Sequence, residues 1–448
     1  MFTVSSHSHA AGMYTTAGIA LATMAISYLV ITLLGKRFKQ NIPIAINLFV
    51  SVAISAVVTG FGFPFRHLFE GPVWYIYINL VIFCGMIFLT VMKRSGNLDC
   101  ITWDILTTFR NRPVILFILL TVMVFFPGMF TGVGTAAVLS TGVFAAAILR
   151  IVGVPRAQNG AIIAMLSTLG AAAPPVNIPA LIIASGINMP YEGFGTILWV
   201  LTIPLGLFSI FFIGYRYFKA PSIETIEAEL PRPERKNFIM PYIPILVVAV
   251  IFIAIRVFPG KFPDIVTPMV FMVGSIVGLF TGKKVAYVDA SKEAVGGGVF
   301  HTVALLFVVG TVVQITTLTG AKGLTVLGAL TLGAVAPALM YIAMGISLPL
   351  LGGVLTHLGA AVILGIPFTL ALLTQNVIVV VAAASILCVL AQIVPPSAVG
   401  GYFAQDVVQE PRYGAILKYC LVPTLVSIGF AIVALVFANQ FARLFVPY

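Results

Sequence analysis

Ala173-Pro174-Pro175-Val176-Asn177 and Val394-Pro395-Pro396-Ser397-Ala398 are two copies of one signal, 221 residues apart, each inside a long apolar run. The same offset carries Gly132-Val133-x-Thr135 onto Gly353-Val354-x-Thr356, and Pro190 onto Pro411. A prolyl nitrogen has no hydrogen to donate, so each pair frees two helical carbonyls one turn earlier. These are the carbonyls of Gly170 and Ala171, and of Ala391 and Gln392. In hydrocarbon such groups persist only where they line a cavity or a binding site. Matching helix breaks in two halves of one chain point to a site near the bilayer midplane.

The composition agrees with a membrane setting. Hydrophobic residues make up 60% of the chain and charged residues 8%, against roughly 25% charged in soluble domains. No charge occurs between Arg112 and Arg150, nor between Lys322 and Asp406, stretches well beyond the roughly 20 residues of one span. The net charge of +11 does not indicate nucleic-acid binding, because the basic residues sit in short loops, where they set topology. Cys84, Cys100, Cys388 and Cys420 form no CxxC pair and read as buried thiols.

Spans are expected near 13–35, 42–64, 73–92, 157–185, 195–218, 240–259, 265–281, 298–320, 375–405 and 417–440. Two further apolar stretches, 113–149 and 334–371, are long enough to go in and come back, with small residues at their centres. They read as re-entrant helical hairpins; the alternative is two ordinary antiparallel spans with a tight turn. Segments 98–110 and 285–297 are short, mixed and charged, and read as interfacial amphipathic helices. Lys36, Arg37, Lys39, Lys93, Arg94, Arg110, Arg112, Arg150, Arg156, Arg216, Lys219, Arg232, Arg235, Lys236, Lys283 and Lys284 fall on one side, the cytoplasmic one, if the N-terminus is outside. Arg66, Lys261 and Lys322 are left opposite. The polar stretch 219–237 is a cytoplasmic linker between a first repeat, 1–218, and a second, 238–448, each of five spans plus a hairpin. Five is odd, so the second repeat is inverted. The expected fold is an all-α polytopic membrane protein with an inverted-topology repeat, two re-entrant hairpins and two Pro-Pro-broken helices.

The first half-site contains Thr131, Gly132 and Thr135 at a hairpin tip, with Gly170, Ala171, Pro174, Pro175 and Asn177 at the break. The second contains Gly353, Thr356 and His357 at the tip, with Ala391, Gln392, Pro395, Pro396 and Ser397 at the break. Hydroxyls with freed carbonyls suit a weakly hydrated cation such as Na+, which makes Thr135, Gly170, Ala171, Thr356, Ala391 and Gln392 the candidate metal ligands. The half-helix after Pro175, with the Asn177 amide, offers a positive end to an anion. Thr131, Gly132, Thr135, Asn177, Gly353, Thr356, His357 and Ser397 are the candidate substrate contacts. His357 reads either as a proton or substrate group or as a packed histidine. No nucleotide loop, HExxH or triad is present, so no enzyme is expected, and no cofactor beyond Na+ as coupling ion.

The small-residue, hydroxyl-bearing tip Gly132–Thr141 with Leu169-Gly170…Pro174-Pro175, repeated as Gly352–Thr356 with Pro395-Pro396, resembles the large membrane subunit of TRAP (tripartite ATP-independent periplasmic) transporters, of the DctM type, within the ion-transporter superfamily. The first tip departs from the family in being poorer in serine, and the second break in reading Pro-Pro-Ser-Ala-Val-Gly-Gly. The resemblance implies an elevator-type carrier in a bacterial or archaeal inner membrane. It also implies Na+-driven symport of a small carboxylate, a small membrane subunit and an extracytoplasmic substrate-binding protein. The alternative is a stand-alone ion-transporter-superfamily organic-anion symporter that needs no binding protein. A channel or a non-transporting scaffold is the third class.

Overall fold

The computed structural model describes residues 2–445 apart from 39, 41, 74, 231, 235, 236, 259–262, 264, 297, 336, 396 and 397. Pro396, Ser397, Lys39, Arg235, Lys236 and Lys261 therefore lie outside the described residues. Among the described residues every regular element is helical. The first half comprises α1 (Phe2–Arg37), α2 (Ile44–Val58), α3 (Phe65–Val73), α4 (Ile76–Arg94), α5 (Asn97–Phe109), α6 (Pro113–Thr131), α7 (Gly134–Ala137), α8 (Val143–Ile151), α9 (Arg156–Ala172), α10 (Ile178–Gly186) and α11 (Phe194–Gly214). After the short α12 (Ile223–Glu229) come α13 (Ile243–Val257), α14 (Thr267–Thr281), α15 (Tyr287–Val295), α16 (Gly298–Leu318), α17 (Ala321–Val335), α18 (Pro337–Leu355), α19 (His357–Ala360), α20 (Ile366–Ala371), α21 (Val377–Val389), α22 (Val399–Val408), α23 (Tyr413–Val436) and α24 (Ala438–Phe445). Seven helices are long and apolar enough to cross a membrane, or eight if the pair Val303–Leu318 and Ala321–Val335, bent by 78°, is one span. The chain is a multi-pass helical membrane protein.

The two halves share one plan, and they pack on each other reciprocally. Helix α2 lies on α16 and its counterpart α14 on α4; α3 lies on α16 and α15 on α4. In the same way α9 packs on α22 and α21 on α10. Such exchange is the mark of a two-fold-related repeat. The offset between the halves is not constant. The first hairpin arms α6 and α18 begin at 113 and 337, 224 residues apart, whereas α9 and α21 begin at 156 and 377, 221 apart.

Each hairpin has a first arm of 19 residues, a tip, a short helix (α7 or α19), a π-helical segment (Val138–Gly142 or Ala361–Gly365) and a second arm, α8 or α20. Pro113 starts α6 at the position where a missing N–H costs nothing, and Gly132, at φ 65°, ends it in the left-handed region. The Thr131 hydroxyl donates to the Pro127 carbonyl (2.7 Å) and accepts the Val133 N–H (3.2 Å). This tip is not a surface turn. Thr131 is fully buried and Val133 is 3% exposed, because the turn abuts Ile178 at the start of α10. The hairpin tip ends against a broken helix, while its arms Pro113–Thr131 and Gly134–Ile151 are each long and apolar enough to cross a membrane.

Two expectations change. No helix is expected over 321–333, yet α17 occupies this stretch, since Leu324, Leu327 and Leu330 recur at helical spacing between its glycines. Helix α17 is the counterpart of α5, and both lead into a hairpin. The second interfacial segment, α15, corresponds instead to α3. The polar connections are tied to the bundle. Arg94 Nε donates to Glu293 at 2.6 Å, Tyr242 Oη to Asp104 at 3.0 Å, and Arg150 pairs with Glu229 of α12. Burial raises the Asp99 carboxyl above its ordinary range, against the opposing pull of Lys283 and Lys93.

Helices α3 and α16 touch backbone to backbone at Gly71 and Gly310. A Cβ on Gly71 would lie 2.6 Å from the Thr311 nitrogen, and one on Gly310 would lie 2.9 Å from the Pro72 nitrogen. Gly310→Val forces these two helices apart. The expected cost is about 1–3 kcal/mol, the usual range for overpacking. A melting curve of the purified protein in detergent checks it, and an unchanged melting temperature contradicts this packing.

Candidate functional site

The candidate site is the region where two hairpin tips meet two helix breaks. At the first break α9 stops at Ala172, the Pro174–Pro175 bond is cis, and α10 restarts at Ile178. At the second, α21 continues as a 3₁₀ turn, Leu390–Ile393, and α22 restarts at Val399. The Val176 N–H donates to the Met129 carbonyl of the first hairpin (3.0 Å), so hairpin and break satisfy each other's backbone. Gly128 of α6 faces Gly170 and Ala171, where a Cβ would come within 2.7 Å of the Gly170 carbonyl carbon. Gly352 of α18 faces Ala391 in the same manner. Gly353 faces the second break, with a Cβ position 2.9 Å from the Pro395 oxygen. Gly134 joins the halves: a Cβ there would fall on Gln392 Oε1 and lie 3.2 Å from the Ser167 carbonyl.

These contacts revise the pairing of the two tips. The structural partner of Gly132 is Thr356, the residue that follows the first arm in the second hairpin, and the partner of Gly128 is Gly352. The sequence match of Gly132-Val133-x-Thr135 with Gly353-Val354-x-Thr356 is out of register by three residues, because Gly353 lies in the last turn of α18. Thr356 takes φ 79°, ψ 160°, a region suited to glycine. Thr135 has Leu358 as counterpart, so each half offers its hydroxyl from a different place. The two candidate cation positions are related in backbone only.

The freed carbonyls are only partly free. Gly170 accepts from the Ala173 N–H and Ala391 from the Val394 N–H, both at 3.1 Å; each oxygen keeps a second lone pair. Among buried polar atoms without a protein partner are Thr356 Oγ1, His357 Nε2, Gln392 Nε2, Thr168 Oγ1 and Thr141 Oγ1. Thr356, His357 and Gln392 belong to the second tip and break. Among the described residues no group of three His, Cys, Asp or Glu side chains could hold a metal, so a cation here must be held by carbonyls, hydroxyls and amides.

Asn177 is not available to a ligand as the sequence suggests. Its Oδ1 accepts the Ala180 N–H (3.0 Å) and its Nδ2 donates to the Ala172 carbonyl (2.9 Å) and to Ser385 Oγ (2.8 Å). Its own N–H goes to Tyr191 Oη (3.2 Å). With Pro179 lacking a hydrogen, the start of α10 retains little to offer an anion. The counterpart of Asn177 is Ala398, which cannot cap: α22 starts with no side-chain hydrogen bond at its N-terminus. At the start of α22, Gly400 lies close to Gln392, whose Oε1 is 3.5 Å from a Cβ position on that glycine. Of the two half-helix starts, that of α10 is capped by the Asn177 side chain and that of α22 has no side-chain cap bond from Ala398.

Among solved structures the chain is similar to that of the Alcanivorax borkumensis YdaH transporter, described as having an unusual topology. The TM-score is 0.57 at 16% identity, covering 84% of this chain and 88% of that one. The two share a fold. No protein-family model and no curated protein matches the chain.

Two substitutions check the geometry. Gly134→Ala drives a methyl into Gln392 and should lower the melting temperature by the equivalent of about 1–3 kcal/mol, the usual range for overpacking. Adding Gln392→Ala makes room and should restore thermal stability. An unchanged melting temperature of Gly134→Ala contradicts the contact. Asn177→Ala removes a helix cap worth about 1 kcal/mol and strands a buried carbonyl, at about 1–3 kcal/mol. Its melting temperature should fall further than that of Asn177→Ser, which keeps an N-cap oxygen.

Proposed function

We propose that the protein is a secondary active transporter that moves a small organic anion together with cations, most simply Na+. The observation carrying this reading is the convergence of both hairpin tips on both breaks around unpartnered buried polar atoms. A packed scaffold gains nothing from leaving Thr356, His357 and Gln392 unsatisfied, since an unpaired buried polar group is costly. The fold shared with a transporter supports the same conclusion. The carboxylate of the substrate sits at the N-terminus of α22 with Gln392 Nε2. The described parts of both breaks carry no acidic side chain before Asp406, so an anion is preferred to a cation and needs cations to offset its charge. The Gly170, Ala171, Ala391 and Gln392 carbonyls with the Thr135 and Thr356 hydroxyls are the cation ligands. His357 is the group available for an added proton step. The hairpins and broken helices form the moving part and the remaining spans the support, the elevator arrangement.

Two forms of the carrier differ in partners. The TRAP form requires a small membrane subunit and an extracytoplasmic binding protein in a bacterial or archaeal inner membrane, and the residue pattern at tips and breaks supports it. The stand-alone form requires neither. Proteoliposomes containing the chain alone separate them: saturable carboxylate counterflow without added partners selects the stand-alone carrier.

The coupling is tested by uptake of a panel of radiolabelled carboxylates under imposed Na+ or pH gradients. Uptake should follow the Na+ gradient. Replacing Pro174 and Pro175 together by Ala should abolish it while membrane insertion survives. Uptake indifferent to both gradients, or a preference for organic cations, overturns the reading.

A further inference from the structure

Beyond the site itself, one device occurs twice. After α10 the chain turns at Asn188 (φ 58°), then runs Met189-Pro190-Tyr191; after α22 it turns at Gln409 (φ 53°), then runs Glu410-Pro411-Arg412-Tyr413. Asn188 and Gln409 are 221 residues apart, and both occupy the left-handed region without being glycine, an uncommon state for such residues. In each half the turn sends a tyrosine back along its half-helix to the break. Tyr191 Oη accepts the Asn177 N–H at 3.2 Å. Tyr413 Oη donates to the Ile393 carbonyl at 2.5 Å. The rings are held by neighbours: Tyr191 stacks on Phe194 at 4.9 Å and Tyr413 lies 4.7 Å from Tyr402. Tyr413 also fills the space where Gly401 has no side chain.

The chemistry of the two bonds is complementary. Ala172 and Ile393 are equivalent positions, the last carbonyls before the breaks. Ala172 is satisfied by the Asn177 amide. In the second half Ala398 stands in place of Asn177, and Tyr413 supplies the donor instead. That substitution satisfies the carbonyl while leaving the N-terminus of α22 uncapped. In the first half Tyr191 removes one more donor from the start of α10.

We propose that Tyr191 and Tyr413 are positioning residues, a pair of latches that hold the two breaks in non-helical form and keep donors at α22 rather than at α10. Each latch belongs to its own break, and the hydroxyl is what matters. The role of the latches in transport rests on the transporter reading above; the latch itself does not.

The test uses the full chain in lipid nanodiscs, comparing wild type with Tyr191→Phe and Tyr413→Phe. Hydrogen exchange is read by mass spectrometry, and Na+ is titrated at constant ionic strength. Tyr191→Phe should speed exchange at Asn177 about fivefold or more, the loss of one hydrogen bond, and leave Val394 and Ala398 unchanged. Tyr413→Phe should do the converse. Both should melt within a few degrees of wild type, the shift expected for one hydrogen bond, and both should need several-fold more Na+ to slow exchange at the breaks. Unchanged exchange at both breaks overturns the proposal, as does loosening of both breaks together with a large fall in melting temperature. Wild-type exchange insensitive to Na+ counts against the coupling reading, while the break-specific exchange still decides the latch.

Discussion

Backbone groups in hydrocarbon must find partners inside the protein, and the two interrupted helices are the places where this requirement is hardest to meet. The structure meets it with named groups. The Val176 N–H donates to the Met129 carbonyl, the Asn177 side-chain amide donates to the Ala172 carbonyl, and the Tyr413 hydroxyl donates to the Ile393 carbonyl. Re-entrant hairpins follow from the same need, because only a chain that ends beside the break can bring backbone to it. Close approach then dictates glycine at Gly128, Gly134, Gly352 and Gly353, where a Cβ would strike the neighbouring break.

The two halves are equivalent in backbone plan and different in chemistry. The first break is closed, with its cap, its last carbonyl and its first amide all engaged within the protein. The second carries the unpartnered atoms of Thr356, His357 and Gln392 and an uncapped ten-residue half-helix. The first half still carries Thr141 Oγ1 and Thr168 Oγ1 without a protein partner, so the halves differ in degree, and the open polar atoms gather mainly at the second tip and break.

Much of this was legible in the residues, for physical reasons. Double prolines in charge-free runs have few tolerable structures in a bilayer, so the two breaks and the hairpins that end against them could be read directly. The pairing of the tips could not. The second tip is one residue shorter (356 against 132–133), and the return arm and loop that follow, 366–376, are two residues shorter than 143–155, so a fixed offset of 221 aligns the breaks correctly and the tips wrongly. The engagement of Asn177 was hidden because its partner Ser385 lies 208 residues away. Helix α17 was missed because its glycines imitate a loop. The tyrosines left a trace, since Pro190 and Pro411 share the offset of the breaks, but a hydroxyl returning to a backbone group leaves no periodic pattern.

The proposed transporter reading requires that one buried focus, formed by tips and breaks together, be reached from either side of the membrane in turn. A single cysteine at position 135, introduced after replacing the four native cysteines, tests it most directly. Impermeant thiol reagents would be applied to right-side-out and inside-out vesicles, with and without Na+. The account predicts slow reaction from both sides, with Na+ altering the balance between them. Reaction from one side alone under every condition, at the rate of an exposed loop, would contradict it.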